Sequence, residues 1–288
     1  MEDALVSVVI PTLNAEEELA GLLDRLGTQT VAPAEIIIID SSSDDRTVEI
    51  AESYPLVRLI EINRADFDHG GTRAMGFREA GGEYVLYLTQ DAVPADNHMI
   101  ENLLRPFDDA DVAIVSGRQL PKEDARPFER LVREFNYSPE SNKRTKRDIQ
   151  RLGIKAFFSS DVCCMYRRAS IEAIGGIPAP CSTNEDMLAA ARCLRADMSV
   201  CYAADACVYH SHNLTFAQQY ARNKEIGIFL ATHKNELRTP SELGEGRRLV
   251  RYVLSGLWKE REMRQIASFC GDCIARIAGN YIGKRIVK

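Results

Sequence analysis

The stretch "YVLYLTQDAVPAD", residues 84–96, decides the fold. Tyr84 to Leu88 read as a buried strand, yet the strand ends in Thr89, Gln90 and the bare carboxylate of Asp91, just before a proline-containing turn. The carboxyl ends of strands are where open α/β sheets collect ligand and metal groups. Three other apolar runs end in the same way. "LVSVVI" (5–10) leads into "PTLN" (11–14), "EIIIID" (35–40) into "DSSSD" (40–44), and "CVYHSH" closes on "HSH" (210–212). In a doubly wound sheet these four clusters converge on one crevice although they are far apart in sequence.

The first hundred residues alternate strand and helix patterns, which predicts a parallel sheet with crossover helices. After Pro11, the spacing of Leu19, Leu22, Leu23 and Leu26 predicts a helix, with Asn14 as its cap and Glu17 reaching back. "EIIIID" is continuously apolar, as a strand covered on both faces should be. Ser43 is expected to cap the helix over "DDRTVEIAESY", and "VRLIEI" (57–62) and "VAIVSG" (112–117) to be further strands. The basic run "NKRTKRDIQR", with Lys143, Arg144, Lys146, Arg147 and Arg151, reads as a solvated helix face or as a site for an anionic acceptor. "DVCCMY" resumes a strand, and Asn184 begins the helix "NEDMLAAARCLRA". From Leu214 the pattern is mainly helical. This divides the chain into an α/β domain over 1–240 and an amphipathic helical extension over 241–288.

The 288 residues can bury a sizeable core. There are 36 Lys and Arg against 42 Asp and Glu, a net charge of -6, which argues against general nucleic-acid binding. The carboxy-terminal end is different. From Gly246 onward ten Lys or Arg face Glu260, Glu262 and Asp272. "MEDALVSVVIPTLN" runs straight into a strand, and no apolar run reaches the ~18 residues of a spanning helix. A cytoplasmic protein is therefore expected, with its basic end free to touch the inner face of an anionic membrane. Met263, Ile266, Ala267, Ile274, Ile277 and Tyr281 fall at roughly helical spacing and suit packing on the domain, a dimer partner or a bilayer; packing is the favoured expectation. The eight cysteines show no zinc-finger spacing and read as reduced thiols, and the lone Cys270-x-x-Cys273 lies outside any thioredoxin-like unit.

The usual occupant of such a crevice is a nucleotide, but neither G-x-G-x-x-G nor G-x-x-x-x-G-K-[ST] occurs in the sequence. Without a glycine-rich cradle, a divalent cation can neutralise a diphosphate, and Asp91 with His210 or His212 supplies suitable ligands. Alternation puts both histidines on one side of an extended segment, so spacing does not choose between them. Glu185 and Asp186 begin a helix, where acids also suit the dipole. A carboxylate facing the crevice there could take a proton from an incoming hydroxyl.

These residues carry a family resemblance. "SVVIPTLNAEEELAGLLDRLGTQT", "EIIIIDSSSDDRTVEIA", "YVLYLTQDAVPAD" and "NED" resemble the inverting GT-A glycosyltransferases of family 2. "DFDHGGTRAMGF", "SGRQLPKEDARPFERLVREFNYS" and "YHSHNLTFAQQYARNKEIG" look like the bacterial rhamnosyltransferases that build surface polysaccharides. The resemblance spans residues 5 to 235. It implies a GT-A fold with a mostly parallel central sheet, a dTDP- or UDP-sugar donor, an Mg²⁺ or Mn²⁺ cofactor, and a saccharide or lipid-linked saccharide acceptor. It implies that Pro11, Thr12 and Asn14 line the nucleotide pocket, that Asp40 accepts from the base imide, and that Arg73 approaches the base or diphosphate. Ser42 and Gln90, from the strand-end clusters, join that set. Asp91 matches the last acid of the family's D-x-D motif and Asp186 its catalytic base, with Glu185 orienting the base or the acceptor.

Two positions depart from the family pattern. Thr89 replaces the first acid of the motif, leaving one carboxylate, and Ala74 follows Arg73 where the subgroup usually shows Asn. A sugar-1-phosphate nucleotidyltransferase would share the sheet and the cation but would need a basic, glycine-rich loop in place of the acidic "PTLNAEEE". A silent nucleotide- or glycan-binding module is the other alternative, and the acid and histidine set argues against it.

Overall fold

The computed structural model describes residues 5–239 and 245–287. In chain order the elements are β1 (Val6–Thr12), α1 (Leu19–Gly27), β2 (Glu35–Asp40), α2 (Thr47–Glu52), β3 (Val57–Glu61), α3 (His69–Glu79), β4 (Tyr84–Leu88), β5 (Val93–Pro94) and α4 (Met99–Leu104). There follow β6 (Val112–Leu120), α5 (Pro127–Asn136), β7 (Asn142–Arg144), α6 (Asp148–Leu152), β8 (Cys163–Arg167), α7 (Arg168–Ala173), α8 (Glu185–Arg195), β9 (Ser199–Tyr209), α9 (Phe216–Thr232), α10 (Glu245–Lys259) and α11 (Met263–Ile286).

One sheet runs in the order β3-β2-β1-β4-β8-β6-β9-β5, with β7 added to β9. Its β3-β2-β1-β4 half is parallel, β8 is antiparallel to both neighbours, and β6 and β9 are parallel again. Continuous apolar strands arise because both faces are covered. Ile36 and Ile38 enter one core with Val6, Val8, Ile10 and Leu86, while Ile37 and Ile39 enter the opposite core with Val9, Val85 and Tyr87. The leucines of α1 are all buried against the first core, as their spacing predicts.

The two expected helix caps are used otherwise. Helix α1 begins at Leu19 rather than beside Asn14, and α2 at Thr47 rather than beside Ser43. Asn14, at φ 49°, accepts from the Asp44 amide and donates its own amide to Ser43 Oγ. The Ala15 amide meets Thr47 Oγ1. These polar residues lock the β1–α1 and β2–α2 loops to one another, which satisfies loop amides that would otherwise be orphaned. The basic run 142–151 also departs from the solvated-helix reading. Arg144 is buried on β7 and donates to the Lys155, Ala156 and Phe158 carbonyls, while Lys143, Lys146 and Arg151 pair with surface acids.

The expected boundary at 240/241 lies outside the described residues. Helix α10 packs on α5 through Leu131, Val253 and Leu257, and Phe269 of α11 joins that cluster. Helix α11 packs on the domain as favoured, with Ile266 of the expected set joining that cluster, but its later turns use a different face. Gly279 and Gly283 lie against α9 so closely that a Cβ would collide with the Tyr220 and Lys224 carbonyls, whereas Ile274, Ile277 and Tyr281 are exposed. No described helix is long and apolar enough to cross a membrane. Replacing Gly283 by Leu should separate α11 from α9 and cost about 1–3 kcal/mol or more, while Gly271→Ala, at an open helical position, should be neutral or stabilising. Thermal melts of the two variants check this, and equal melting temperatures would contradict it.

Candidate active site

The two-residue strand β5 assembles the first centre. Val93 pairs with Tyr209 in antiparallel register, so the segment just before β5 runs beside the segment just after β9. Asp91 is thereby brought to both His210 and His212, with Oδ1 3.5 Å from His210 Nε2 and Oδ2 3.7 Å from His212 Nε2. Both separations are too long for hydrogen bonds. One donor atom from each residue lies within 4.8 Å of the others, so a small contraction lets all three converge on one divalent cation.

The surroundings prepare His210 as a ligand. Its Nδ1 lies 3.0 Å from Gln119 Oε1, which Arg133 also addresses, and Gln119 Nε2 donates to Ser160 Oγ at 2.8 Å. The two outer contacts fix the amide orientation, so Nδ1 must be the protonated nitrogen and Nε2 presents its lone pair to Asp91. Burial pushes His210 down to about 3, only partly offset by Asp91, and burial also lowers His212. Both rings are therefore neutral at pH 7. Burial works against the charge of Asp91, but the neighbouring histidines and Lys122 together hold its carboxyl below the ordinary value. With the rings neutral, Lys122, whose Nζ is 3.3 Å from Asp91 Oδ2, is the standing countercharge.

The second centre is built around Arg73 on α3. This guanidinium is buried, with Nη1 2.7 Å from Glu185 Oε1 and Nε 3.2 Å from Asp161 Oδ2. Tyr166 donates to the other Asp161 oxygen at 2.5 Å. Asp186 sits beside this network at the start of α8, its Oδ2 accepting from the Asp161 amide and Oδ1 from the Met187 amide. Burial and the adjacent Glu185 charge push the Asp186 carboxyl up to about 7, against the pull of those two amides and Arg73. Three carboxyl groups thus share one guanidinium, so the cluster holds a proton near neutrality.

Between the ends of β1 and β4 and the start of α3 lies a third feature, a cavity of about 250 Å³ lined by Pro11, Thr12, Arg73, Gln90, Phe67 and His69, among others. Gln90 secures its floor by accepting from the Leu13 amide and donating to the Leu13 carbonyl. Of the residues expected to hold a nucleotide, Pro11, Thr12, Arg73 and Gln90 line this cavity, but three do not. Asp40 is fully buried behind it, accepting from Thr12 Oγ1, Ser43 Oγ and the Ser43 amide. Asn14 locks the two loops, and Ser42 donates to the Ile62 carbonyl and lines a separate depression. Arg73 spends its charge on Asp161 and Glu185 rather than on open space. Sequence reasoning missed Asp161, Gln119 and Lys122, whose neighbours come together only through β6 and β8, and it missed the aromatic wall of Phe67.

Residues 7–175 match the family model described as glycosyl transferase family 2. The chain belongs to this family. Its curated relatives include the O-antigen chain rhamnosyltransferases RfbN of Salmonella typhimurium and WbaN of Salmonella anatum, each 40% identical over 227 residues, spanning 78% of this chain and 72% of the relative. Among solved structures, the fold is similar to the mannosyltransferase PcManGT from Pyrobaculum calidifontis in complex with GDP-Man and Mn²⁺, with a TM-score of 0.64 at 16% identity over 99% of this chain and 84% of that one. It is also similar to S. aureus TarS 1–349 in complex with UDP, with a TM-score of 0.56 at 18% identity over 88% of this chain and 70% of that one. The fold is therefore GT-A-like, and this family 2 protein is an inverting glycosyltransferase that uses a nucleotide-sugar donor. That excludes the nucleotidyltransferase and the silent-module alternatives.

If the first centre holds the cation, Asp91→Asn and His210→Ala should each weaken Mn²⁺ binding at least about tenfold, and Gln119→Leu, which frees the far nitrogen of His210, should weaken it about 10- to 100-fold. Calorimetry in the absence of donor reads this directly; unchanged affinity in all three variants would remove the assignment.

Proposed function

We propose that this glycosyltransferase moves rhamnose from dTDP-rhamnose, with inversion, to a hydroxyl of a saccharide or lipid-linked saccharide acceptor. The rhamnosyltransferase relatives support the choice of sugar. The chemistry rests on one observation, the Asp186 carboxyl aimed by the Asp161 and Met187 amides beside the Arg73 network, where burial and Glu185 push it up to about 7. A base whose affinity for a proton is matched to working pH can accept one from a hydroxyl and release it afterwards. Asp186 takes the acceptor proton, the hydroxyl oxygen attacks the anomeric carbon from the face opposite the leaving group, and the nucleoside diphosphate departs with the bonding electrons. Glu185 and Asp161 hold Arg73, and the Asp161 and Met187 amides aim the Asp186 oxygens. Pro11, Thr12, Gln90 and Phe67 receive the nucleoside, while Asp91, His210 and His212 face its diphosphate. A divalent cation bound by those three residues would neutralise the departing diphosphate. Two imidazoles among the ligands favour Mn²⁺ over Mg²⁺.

Because the base must be ionised, kcat/KM should rise with pH to a plateau above about 7. Asp186→Asn should lower kcat about 10²- to 10⁴-fold with little change in donor affinity. Stability has the opposite slope, since a carboxyl whose folded pKa is raised favours the fold most at low pH and loses that contribution as pH rises through about 7. The Asn variant should therefore be the more stable protein above that pH. Assays with dTDP-rhamnose, UDP-sugars and GDP-mannose, with Mn²⁺, Mg²⁺ or EDTA, test the donor. Transfer from another sugar nucleotide alone would refute rhamnose, and near-normal turnover by Asp186→Asn would refute the base.

A lipid-linked acceptor gives the exposed Ile274, Ile277 and Tyr281 a role as a peripheral bilayer contact beside Lys284 and Arg285. Ile274→Ser/Ile277→Ser should then lose co-sedimentation with anionic vesicles while retaining monomeric size. Loss of a homodimer instead would assign that face to a second copy.

A further inference from the structure

A cavity of about 180 Å³ opens between α5, α9 and α11, outside the parallel half that receives the nucleoside. Four guanidinium groups line it, those of Arg126, Arg133, Arg222 and Arg276, against only two carboxylates, Glu129 and Asp272. Both acids are already engaged. Arg133 Nε lies 3.1 Å from Glu129, and Arg276 Nε lies 2.6 Å from Asp272, which also accepts from Gln219. Arg126 donates to the neutral oxygens of Asn213 and Leu214. Arg222 has no hydrogen-bond or ion-pair partner among the described residues, although Arg133 and Arg276 are near enough to act on its charge.

A cleft with two positive charges in excess, Arg222 exposed among them, attracts an anion. Guanidinium forks match phosphate oxygens in pairs, which makes a phosphate-class dianion the fitting partner. The position of the cavity narrows its source. His212 lines it on the cation side, while Tyr137 in its wall also lies within electrostatic reach of Asp186. It thus shares His212 with the cation centre and has no lining residue in common with the nucleoside cavity. The donor does not need this charge. One divalent cation balances the two negative charges of a nucleotide-sugar diphosphate, and Lys122 balances Asp91.

We propose that the cavity of Arg126, Arg133, Arg222 and Arg276 binds the phosphate or diphosphate of the acceptor's lipid carrier, so that the protein recognises its acceptor partly by an anion remote from the reacting hydroxyl. This rests on the reading of the chain as a transferase to a lipid-linked acceptor. Arg222 is the recognition residue, because its guanidinium is the one left uncommitted, and anchoring through it turns the acceptor sugar toward Asp186.

The test is a binding measurement on the full chain in EDTA, so it does not depend on turnover. Geranyl diphosphate, inorganic phosphate and dTDP are titrated into the native protein, Arg222→Gln and Arg222→Lys, with thermal melts confirming that the variants are folded. The expected result is that Arg222→Gln weakens geranyl diphosphate at least about tenfold, Arg222→Lys restores most of the loss, and dTDP changes by less than about twofold. Equal affinity of native protein and Arg222→Gln for geranyl diphosphate overturns the proposal. So does a loss confined to dTDP, which would make the cavity part of the donor site. Inorganic phosphate binding as tightly as geranyl diphosphate would reassign the cavity to free phosphate and overturn the carrier. Failure of dTDP to bind even with Mn²⁺ would count against the transferase reading instead, and leaves the prenyl diphosphate result to be judged separately.

Discussion

The site depends on burying one guanidinium. Arg73 carries a full positive charge into the interior, where an unpaired charge would be strongly destabilising, and it is tolerated because Glu185 and Asp161 meet it from two other parts of the chain. Those contacts tie α3 to the segment before β8 and to the first turn of α8. They also set the position of Asp186, whose oxygens are held by the Asp161 and Met187 amides. The same packing that removes water from the cluster makes ionisation costly and raises both Asp161 and Asp186, so that the cluster as a whole retains a proton. The pairing that buries Arg73 and the raised affinity of Asp186 for a proton are thus one arrangement.

The cation side solves the opposite problem. At Asp91, neutral imidazoles and a lysine surround a single acid, three of them groups that would hold a divalent ion and let it offset the charge of a diphosphate. Gln119 joins the two centres, touching His210 on one side and Ser160 on the other, one residue before Asp161. With Thr89 in place of the first acid of the family motif, Asp91 is the one carboxylate in the group with His210 and His212. Lys122 reaches Asp91 because its backbone amide is fixed by Ser211, between the two histidines.

Much of this arrangement was legible in the sequence because it follows from strand ends. Apolar runs closing on "PTLN", "TQD" and "HSH" do converge, and Asp91 does meet both histidines. Other features were hidden for identifiable reasons. A two-residue strand such as β5 has no periodicity to read, yet its pairing with β9 creates the cation centre. Asn14 and Ser43 look like caps because short polar side chains serve both caps and loop-to-loop bonds, and only the fold decides between them. Asp40 looks like a ligand group and serves here as an internal acceptor for Thr12 and Ser43. The arginine cavity draws on α5, α9 and α11, far apart in the chain, so no local pattern announces it. Helix α11 misled because only its first part packs through the expected residues, Ile266 beside Phe269, while further on Ala275, Gly279 and Gly283 are buried and Ile274 and Ile277 point outward.

The central claim is that Asp186 is the group poised to exchange a proton near neutral pH. It is tested most directly by the carboxyl carbon-13 shifts of aspartate-labelled protein, followed from pH 4 to 9 in the native chain and in Asp186→Asn. The account predicts one carboxyl signal with a midpoint near 7, present in the native protein and missing from the variant. A native Asp186 signal that finishes titrating below about pH 5 would contradict it.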